Sequence, residues 1–197
     1  MFMLGTLLSE DLKWTEHVNN VISSCFGVLA VLRKIKNMTP QETKKTLVQG
    51  LVLSKLNFND TVTYPLPMFL QKRMQRVQNA AAGFVLNRYC SEEDVLQFGW
   101  LPTLENTKLN ILKLRHHALY NNNWREYLTL SRHNPSRTLR SSSTPLLQIS
   151  LLKGTFQDSV ANLYNDLPAS ISSITDYYHF VRESAKILKA KAIMRLA

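Results

Sequence analysis

Apolar residues in this chain recur every three or four positions, and this helical spacing constrains its fold more than any other feature. Six glycines and seven prolines, among 197 residues, mostly separate such segments from one another. One run, between residues 11 and 36, places its apolar residues on a single helix face that is expected to be buried. That face holds Val18, Val21, Ile22, Cys25, Leu29, Leu32 and Ile35. The sequence therefore predicts a mainly α fold with a substantial hydrophobic core.

The stretch Leu8–His17, in which carboxylates stand close to a histidine, allows two interpretations. Ser9 as an N-cap would place Glu10 and Asp11 in the first turn of this helix, where the helix dipole favours acids. The alternative is a small hydrolase that uses these acids together with His17. No further convergent group accompanies them in the sequence, so we favour the helix start.

Turn and capping residues predict the other helices. Thr39 as N-cap, Pro40 as first helical residue and Glu42 in a capping box predict a second helix that runs to about Leu56. Its predicted buried residues are Leu47, Val48, Leu51 and Val52. The same reasoning predicts helices over about 68–88, 103–120, 155–167 and 176–196, an acidic helical turn at 91–97 that Ser91 caps, and a short strand within 146–152.

The charge balance favours a polyanionic partner. Lys and Arg number 24 against 14 Asp and Glu, which gives a formal net charge of +10 and suits nucleic acid or an acidic membrane surface. No stretch approaches the roughly 20 apolar residues of a membrane span, and the acidic start is unlike a signal peptide. Cys25 and Cys90 lack metal-ligand spacing. These features predict a reduced intracellular protein, nuclear or cytoplasmic, without a membrane partner.

The basic residues are the strongest candidates for a binding site. Lys72, Arg73 and Arg76 lie in a predicted helix without acids, beside small and amide residues, where they are suited to a phosphate backbone. The alternative is a solvated surface stripe. An acid-free loop over 131–153 contributes Arg137 and Arg140. Further candidates are Lys44 and Lys45, and the C-terminal helix is a weaker candidate for a membrane surface because its polar face also holds Glu183 and Ser184.

Other motifs give no catalytic or metal site. His116 and His117 are adjacent, so on a helix they point about 100° apart and cannot chelate one ion, which predicts an ordinary half-exposed pair. Glu92, Glu93 and Asp94 are explained more simply as an acidic helical turn than as a cation site. The sequence has no glycine-rich phosphate loop, no Gly-x-Ser-x-Gly elbow, no His-Glu-x-x-His and no two adjacent aspartates.

Five stretches resemble a known family when they are taken in order. They are "LG…L…DLKWTEHV" (4–18), "LQKRMQRVQNAAAGFVL" (70–86), "FGWLPTLENTKLNILKLRHHALYN" (98–121), "RTLRSSS" (137–143) and "GTFQDSVANLYNDLPASI" (154–171). Together they resemble the region after the catalytic palm in reverse transcriptases of non-LTR (LINE-type), jockey-like retrotransposons. Ser9, Gly83 and Tyr164 stand where that family usually has aspartate, arginine and tryptophan.

The resemblance implies a domain order. Residues 1–18 would be the end of the polymerase palm and 19–130 a thumb-like helical bundle. A basic Ser/Thr/Pro-containing loop would follow over 131–154, and a C-terminal helical region with two helices over 155–197. In the family the endonuclease domain and the Tyr-x-Asp-Asp motif that binds two Mg²⁺ ions lie upstream. For this chain alone the resemblance therefore implies no catalysis, no metal site and no cofactor.

The function predicted from the resemblance is part of an RNA-directed DNA polymerase that grips RNA or an RNA–DNA duplex without reading its sequence. Lys72, Arg73 and Arg76 are its first candidate backbone contacts. The remaining candidates are Arg137, Arg140, Lys44 and Lys45. The alternative is an inert or domesticated helical module that binds proteins and has no nucleic-acid role.

Overall fold

The structure, a computed structural model, describes residues 2–3, 5–10, 13–120 and 146–196. The described residues are mainly helical, which confirms the predicted fold class. They fall into two compact units, one made of Met1–Asn106 with Ala192–Ala197 and the other of Thr107–Lys191. The domain order implied by the resemblance, with its boundaries after residues 18, 130 and 154, stays a prediction.

The first unit begins with a short antiparallel pair, β1 (Phe2–Met3) and β2 (Thr6–Leu7), followed by helix α1 (Thr15–Lys34). The helix begins later than predicted, and Ser9 is not its N-cap. The Ser9 hydroxyl instead accepts from the Lys13 amide at 3.0 Å and donates to the Lys13 carbonyl at 2.8 Å. This local bonding competes with helix formation, which is why Glu10 lies outside the first turn.

The second helical stretch comprises α2 (Gln41–Val48), a π-helical segment (Gln49–Leu53) and α3 (Ser54–Leu56). The predicted end at Leu56 is confirmed, but the capping box is wrong. Thr39 donates its hydroxyl to the Ile35 carbonyl at 2.8 Å and so closes the end of α1 instead. The π-helical segment shifts the helix face, so that Leu51 is 45% exposed while Leu53 is buried. The predicted burial of Leu51 is therefore wrong.

The rest of the first unit consists of α4 (Asp60–Thr63), α5 (Met68–Leu86), α6 (Glu92–Gln97), the start of α7 (Thr103–Tyr120) and the end of α10 (Tyr177–Leu196). Its core lies between α1, α5 and the π-helical stretch. The predicted inner face of α1 is confirmed from Val18 to Leu32, whereas Ile35 is exposed. Apolar burial on facing helix stripes accounts for this packing, because each helix has only one apolar side.

The second unit contains most of α7 and α10 (Tyr177–Leu196), together with α8 (Phe156–Asn165) and α9 (Ala169–Ser172). Thr155 caps α8, since its hydroxyl oxygen accepts from the Asp158 amide at 3.3 Å. Tyr164 on the buried face of α8 donates its hydroxyl to the Ser172 carbonyl at 2.8 Å. The predicted strand within 146–152 is wrong, because these residues form no strand beyond an isolated bridge at Leu147.

Candidate nucleic-acid interface

The three basic residues predicted on α5 do not share one surface. Lys72 and Arg76 are one helical turn apart, exposed, and line the same cleft. Arg73 is rotated about 100° from Lys72 around the helix axis. Its guanidinium donates to the side-chain oxygen of Asn19 on α1 at 2.6 Å. Arg73 is therefore a half-buried contact between two helices, and the cleft is lined by Lys72 and Arg76.

A cleft of about 750 Å³ lies in the first unit, where the end of α1 approaches the C-terminal half of α5. Its lining includes four cationic side chains and no carboxylate. Those cations are Arg33, Lys36, Arg76 and Arg88. Arg33 occupies the last turn of α1, where the negative end of the helix dipole favours a cation. The arrangement concentrates positive charge in one concave surface.

A second cleft of about 550 Å³ adjoins the first along α5. Arg76, Asn79 and Tyr89 line both clefts, so the two clefts adjoin along α5. Lys72 and Arg195 add two more cations to the second cleft. We call the two clefts together the basic groove.

Two of the six cations of the basic groove are already neutralised. Arg88 donates to Asp94 at 2.6 Å, and Arg195 bonds both Glu92 and Glu105, the latter at 3.2 Å. In the part of the chain that the structure describes, the other four cations form no ion pair. They are Arg33, Lys36, Lys72 and Arg76. These four side chains are available to neutralise an anionic ligand.

The turn after α5 forms one wall of the basic groove, and it requires a glycine. Asn87 adopts a left-handed conformation with φ 57°, which reverses the chain directly after the helix. The Arg88 carbonyl then returns so close to α5 that a Cβ at Gly83 would meet it at 2.7 Å. Only glycine leaves room for this approach. Glycine is thus a steric requirement at position 83, where the resembled family usually has arginine.

The start of α6 holds the same wall from the other side. The Ser91 hydroxyl accepts from the Asp94 amide at 3.2 Å, and the Ser91 amide donates to the Asp94 carboxylate at 2.8 Å. The Arg88 guanidinium, and then this backbone bond, lower the pKa of Asp94 to about 2. The capping turn predicted for the acidic residues is confirmed, because Asp94 belongs to a capping box.

A chain of amide groups fixes the floor of the basic groove. The Gln75 side-chain oxygen accepts from the Thr103 amide at 2.8 Å, at the start of α7. The Gln75 side-chain nitrogen donates to Gln78 at 3.0 Å and to Asn79 at 2.8 Å. Asn79, which lines both clefts, is therefore held in place by a residue that is itself fixed.

The two lysine candidates on α2 have other surroundings. Lys44 is only 3% exposed, and its ammonium donates to the side-chain oxygen of Asn87 at 3.1 Å. It thereby supports the turn after α5 from beneath. The Lys45 ammonium lies 5.3 Å from the centre of the Phe98 ring, a cation–π contact, and Lys45 does not line the basic groove. The last two candidates, Arg137 and Arg140, lie outside the described residues.

Several groove residues escaped the sequence analysis. Arg33 and Lys36 belong to the basic run "LRKIK" at the end of the first predicted helix. Basic residues at a helix C-terminus are already explained by their favourable interaction with the helix dipole, so the run did not indicate a binding site. Arg88, Tyr89 and Arg195 stand alone in the sequence. Only the packing of α1 against α5, and the return of residues 192–196 to the first unit, bring these groups together.

The histidines that were considered above as catalytic or metal-binding residues have structural surroundings. His17 is buried, and its Nδ1 accepts from the Leu7 amide at 3.2 Å. Burial lowers the pKa of His17. His116 is buried as well, with its Nε2 3.2 Å from the Ile174 carbonyl, while its neighbour His117 is exposed. The predicted half-exposed pair is thus one buried and one exposed histidine.

Cysteines and carboxylates add no metal site in the described ranges. No group of three or more His, Cys, Asp or Glu side chains there is placed to hold an ion. Cys25 and Cys90 are both buried free thiols, and burial raises the pKa of each. Within the same ranges, none of the helices is long and apolar enough to cross a membrane.

Comparison of the chain with protein-family models, with curated proteins and with solved structures finds no match. The resemblance to reverse transcriptases therefore rests on the quoted sequence motifs alone.

Proposed function

We propose that this chain is the post-palm, thumb-like part of a non-LTR retrotransposon reverse transcriptase and that it binds the phosphate backbone of RNA or an RNA–DNA duplex. The observation that carries this proposal is the basic groove, in which four cations without carboxylate partners among the described residues converge from two helices and a turn. Lys72 and Arg76 are residues that the resemblance also selects.

The charge arrangement supports backbone binding without sequence reading. Each cation that neutralises a phosphate releases counterions and so adds affinity at low salt. The unpaired cations come from separate elements, with Arg33 at the end of α1 and Lys72 and Arg76 on α5. Such a site positions a nucleic acid, whereas specificity would require contacts to base edges. Polymerase chemistry is left to a palm with metal-binding aspartates, so this chain by itself is proposed to be non-catalytic.

The test is a titration of a fluorescently labelled RNA–DNA hybrid with the protein at several salt concentrations, read by anisotropy. We expect log affinity to fall with log salt with a slope of about −3 to −4, as four neutralised phosphates predict. Replacing Arg33, Lys72 or Arg76 by Glu should weaken binding and reduce the slope by about one each.

Lys34→Glu is the matched control. Lys34 stands beside Arg33 in the last turn of α1 and is exposed, but it does not line the basic groove. It changes the net charge and the helix-terminus charge as Arg33→Glu does, so the two variants should differ only through the groove. No binding at low salt, salt-insensitive binding, or equal effects of both variants would contradict the proposal. A defined protein partner or oligomer without nucleic-acid affinity would favour the interaction-module alternative.

A further inference from the structure

Tyr89 stands out on the surface of the first unit because it is the most exposed aromatic side chain among the described residues, at 89%. It lines both clefts of the basic groove, so its ring lies where the two clefts adjoin. An exposed tyrosine has a large apolar face, and covering this face with another flat group lowers the free energy. A planar ligand that covers the Tyr89 ring would therefore also lie beside the cations of the basic groove.

The backbone that carries Tyr89 is held on both sides. Arg88, which is fixed by Asp94, donates to the Tyr89 carbonyl at 3.3 Å. The next residue, Cys90, is buried, and Ser91 then caps α6. Because the main chain is already ordered, a ligand that covers the ring does not have to pay for ordering the turn. The main chain thus fixes the position of Tyr89, and we call its exposed ring the platform.

Cations lie on both sides of this platform. The first cleft contributes Arg33 and Lys36, the second contributes Lys72, and Arg76 lines both. From Lys72 to Gly83 the groove follows α5 for about 17 Å, at 1.5 Å per helical residue. At the phosphate spacing of one strand, roughly 3.4 Å or more, this length accommodates about five nucleotides or fewer.

We infer that the basic groove takes a short single-stranded segment of RNA or DNA, with one base stacked on Tyr89 and the adjoining phosphates on the cations. This inference rests on the proposed function and specifies its ligand. In a continuous duplex the bases are stacked on each other, and only the backbone would reach an exposed ring. In a single strand every base offers a free π-face, and stacking on aromatic side chains is tolerant of sequence.

The experiment compares two probes on the full chain, a labelled single strand of about eight nucleotides and a blunt hybrid of the same length. Tyr89→Ala should weaken single-strand binding by about 5- to 150-fold, the range that loss of one stacked base predicts. Tyr89→Phe keeps the ring and should stay within about twofold of wild type, as should blunt-hybrid binding by Tyr89→Ala.

A base-stacking readout accompanies the affinities. A single strand that contains 2-aminopurine should lose fluorescence on binding to wild type and to Tyr89→Phe, and it should lose much less on binding to Tyr89→Ala. Tyr178→Ala is the matched control, since Tyr178 is 81% exposed in the second unit and does not line the basic groove. That control should bind both probes within about twofold of wild type, and circular dichroism should give Tyr89→Ala an unchanged melting temperature.

Several results would overturn the inference. Equal losses for both probes, no loss for either probe, or a loss for Tyr178→Ala as large as for Tyr89→Ala would each do so. Binding to anionic phospholipid vesicles with the same dependence on Tyr89 would do so as well, since it would identify a membrane ligand. If Tyr89→Ala has no effect while Arg33→Glu and Lys72→Glu weaken binding, only the stacking inference fails. If wild type binds neither probe at low salt, the proposed function fails too.

Discussion

At the scale of single residues, His17 illustrates how a chemically suggestive side chain is used for structure. Its Nδ1 accepts a hydrogen bond from the Leu7 amide, and its ring meets Trp14 edge-on at 6.3 Å between centroids. This bond requires an unprotonated Nδ1, and burial lowers the pKa of His17. The histidine therefore ties β2 to α1 in its neutral form, and it gains no catalytic partner among the described residues.

The neutral form of His17 predicts a pH dependence of stability. A histidine whose folded-state pKa is depressed binds fewer protons than the unfolded chain, so the free energy of unfolding falls as pH drops below about 6.5. His17→Asn retains an acceptor near the Nδ1 position but cannot be protonated. We expect its melting temperature to fall less between pH 7 and pH 5 than that of wild type, measured by circular dichroism.

Some pH dependence should persist in His17→Asn, because burial also lowers the pKa of His116 in the second unit. His117 is exposed but its charge helps to lower the pKa of His116, so the control His117→Asn should change the profile less than His17→Asn does. Identical slopes for wild type and His17→Asn would contradict the assignment of His17 as a buried neutral acceptor.

At the scale of elements, α5 combines the core and the groove. One side buries Leu70 and Val77, another carries Lys72 and Arg76, and Gly83 lets the following turn fold back against it. Two helical glycines therefore differ in whether there is room for a side chain. A Cβ at Gly83 meets the Arg88 carbonyl, whereas a Cβ at Gly27 in α1 meets nothing within 4 Å.

These surroundings predict opposite effects of the same substitution. Gly27→Ala should stabilise the protein by about 0.5–1 kcal/mol, because alanine reduces the flexibility of the unfolded chain and favours helix. Gly83→Ala should destabilise it by about 1–3 kcal/mol, because a backbone carbonyl has to move. Urea unfolding of both variants measures the difference. A stabilised Gly83→Ala would refute the close approach at this turn.

The sequence was sufficient for elements that local physics determines. The start of α7 at Thr103 follows from periodicity, and the Ser91 cap follows from a side chain that bonds its own helix. It was insufficient where a polar side chain has two possible partners, and Thr39 bonds the preceding helix instead of capping the next. The π-helical segment is likewise invisible to a search for a 3.6-residue period.

The candidate site was predictable only in part, for a different reason. Lys72 and Arg76 share one helix, so spacing alone places them together. Arg33 and Tyr89 join them through tertiary packing, which no local pattern encodes. Lys44 was predicted as a binding residue but does not line the groove. A lysine is expected on the surface, yet Lys44 lies buried against the turn after α5.

At the scale of the whole molecule, the first unit is built from two separate parts of the chain. Arg195 near the end of α10 belongs to this unit, where it bonds Glu92 and the buried Glu105. The arginine side chain is 43% exposed. The Glu105 carboxylate is buried and has lost its hydration. The pair therefore contributes to stability mainly because removing Arg195 would leave the buried Glu105 charge uncompensated.

Removing the arginine should therefore cost more than removing both charges. Arg195→Met is expected to lower the free energy of unfolding by about 1–2 kcal/mol, below the range for fully buried pairs because the arginine is partly solvated. Glu105→Gln combined with Arg195→Met should recover a large part of this loss, since no buried charge remains. Chemical unfolding measures both variants, and a double mutant less stable than Arg195→Met would contradict the assignment.

The discontinuity of the first unit also determines the order in which a nascent chain can finish folding. Residues 1–106 are synthesised before residues 107–191, yet Glu105 cannot pair with Arg195 until residue 195 has followed them. Closing such a long connection adds little entropy cost, about 0.6 kcal/mol per doubling of its length. During translation the first unit therefore begins to fold earlier but is completed later than the second. Pausing near the end of α10 would expose an incomplete first unit to chaperones and proteases.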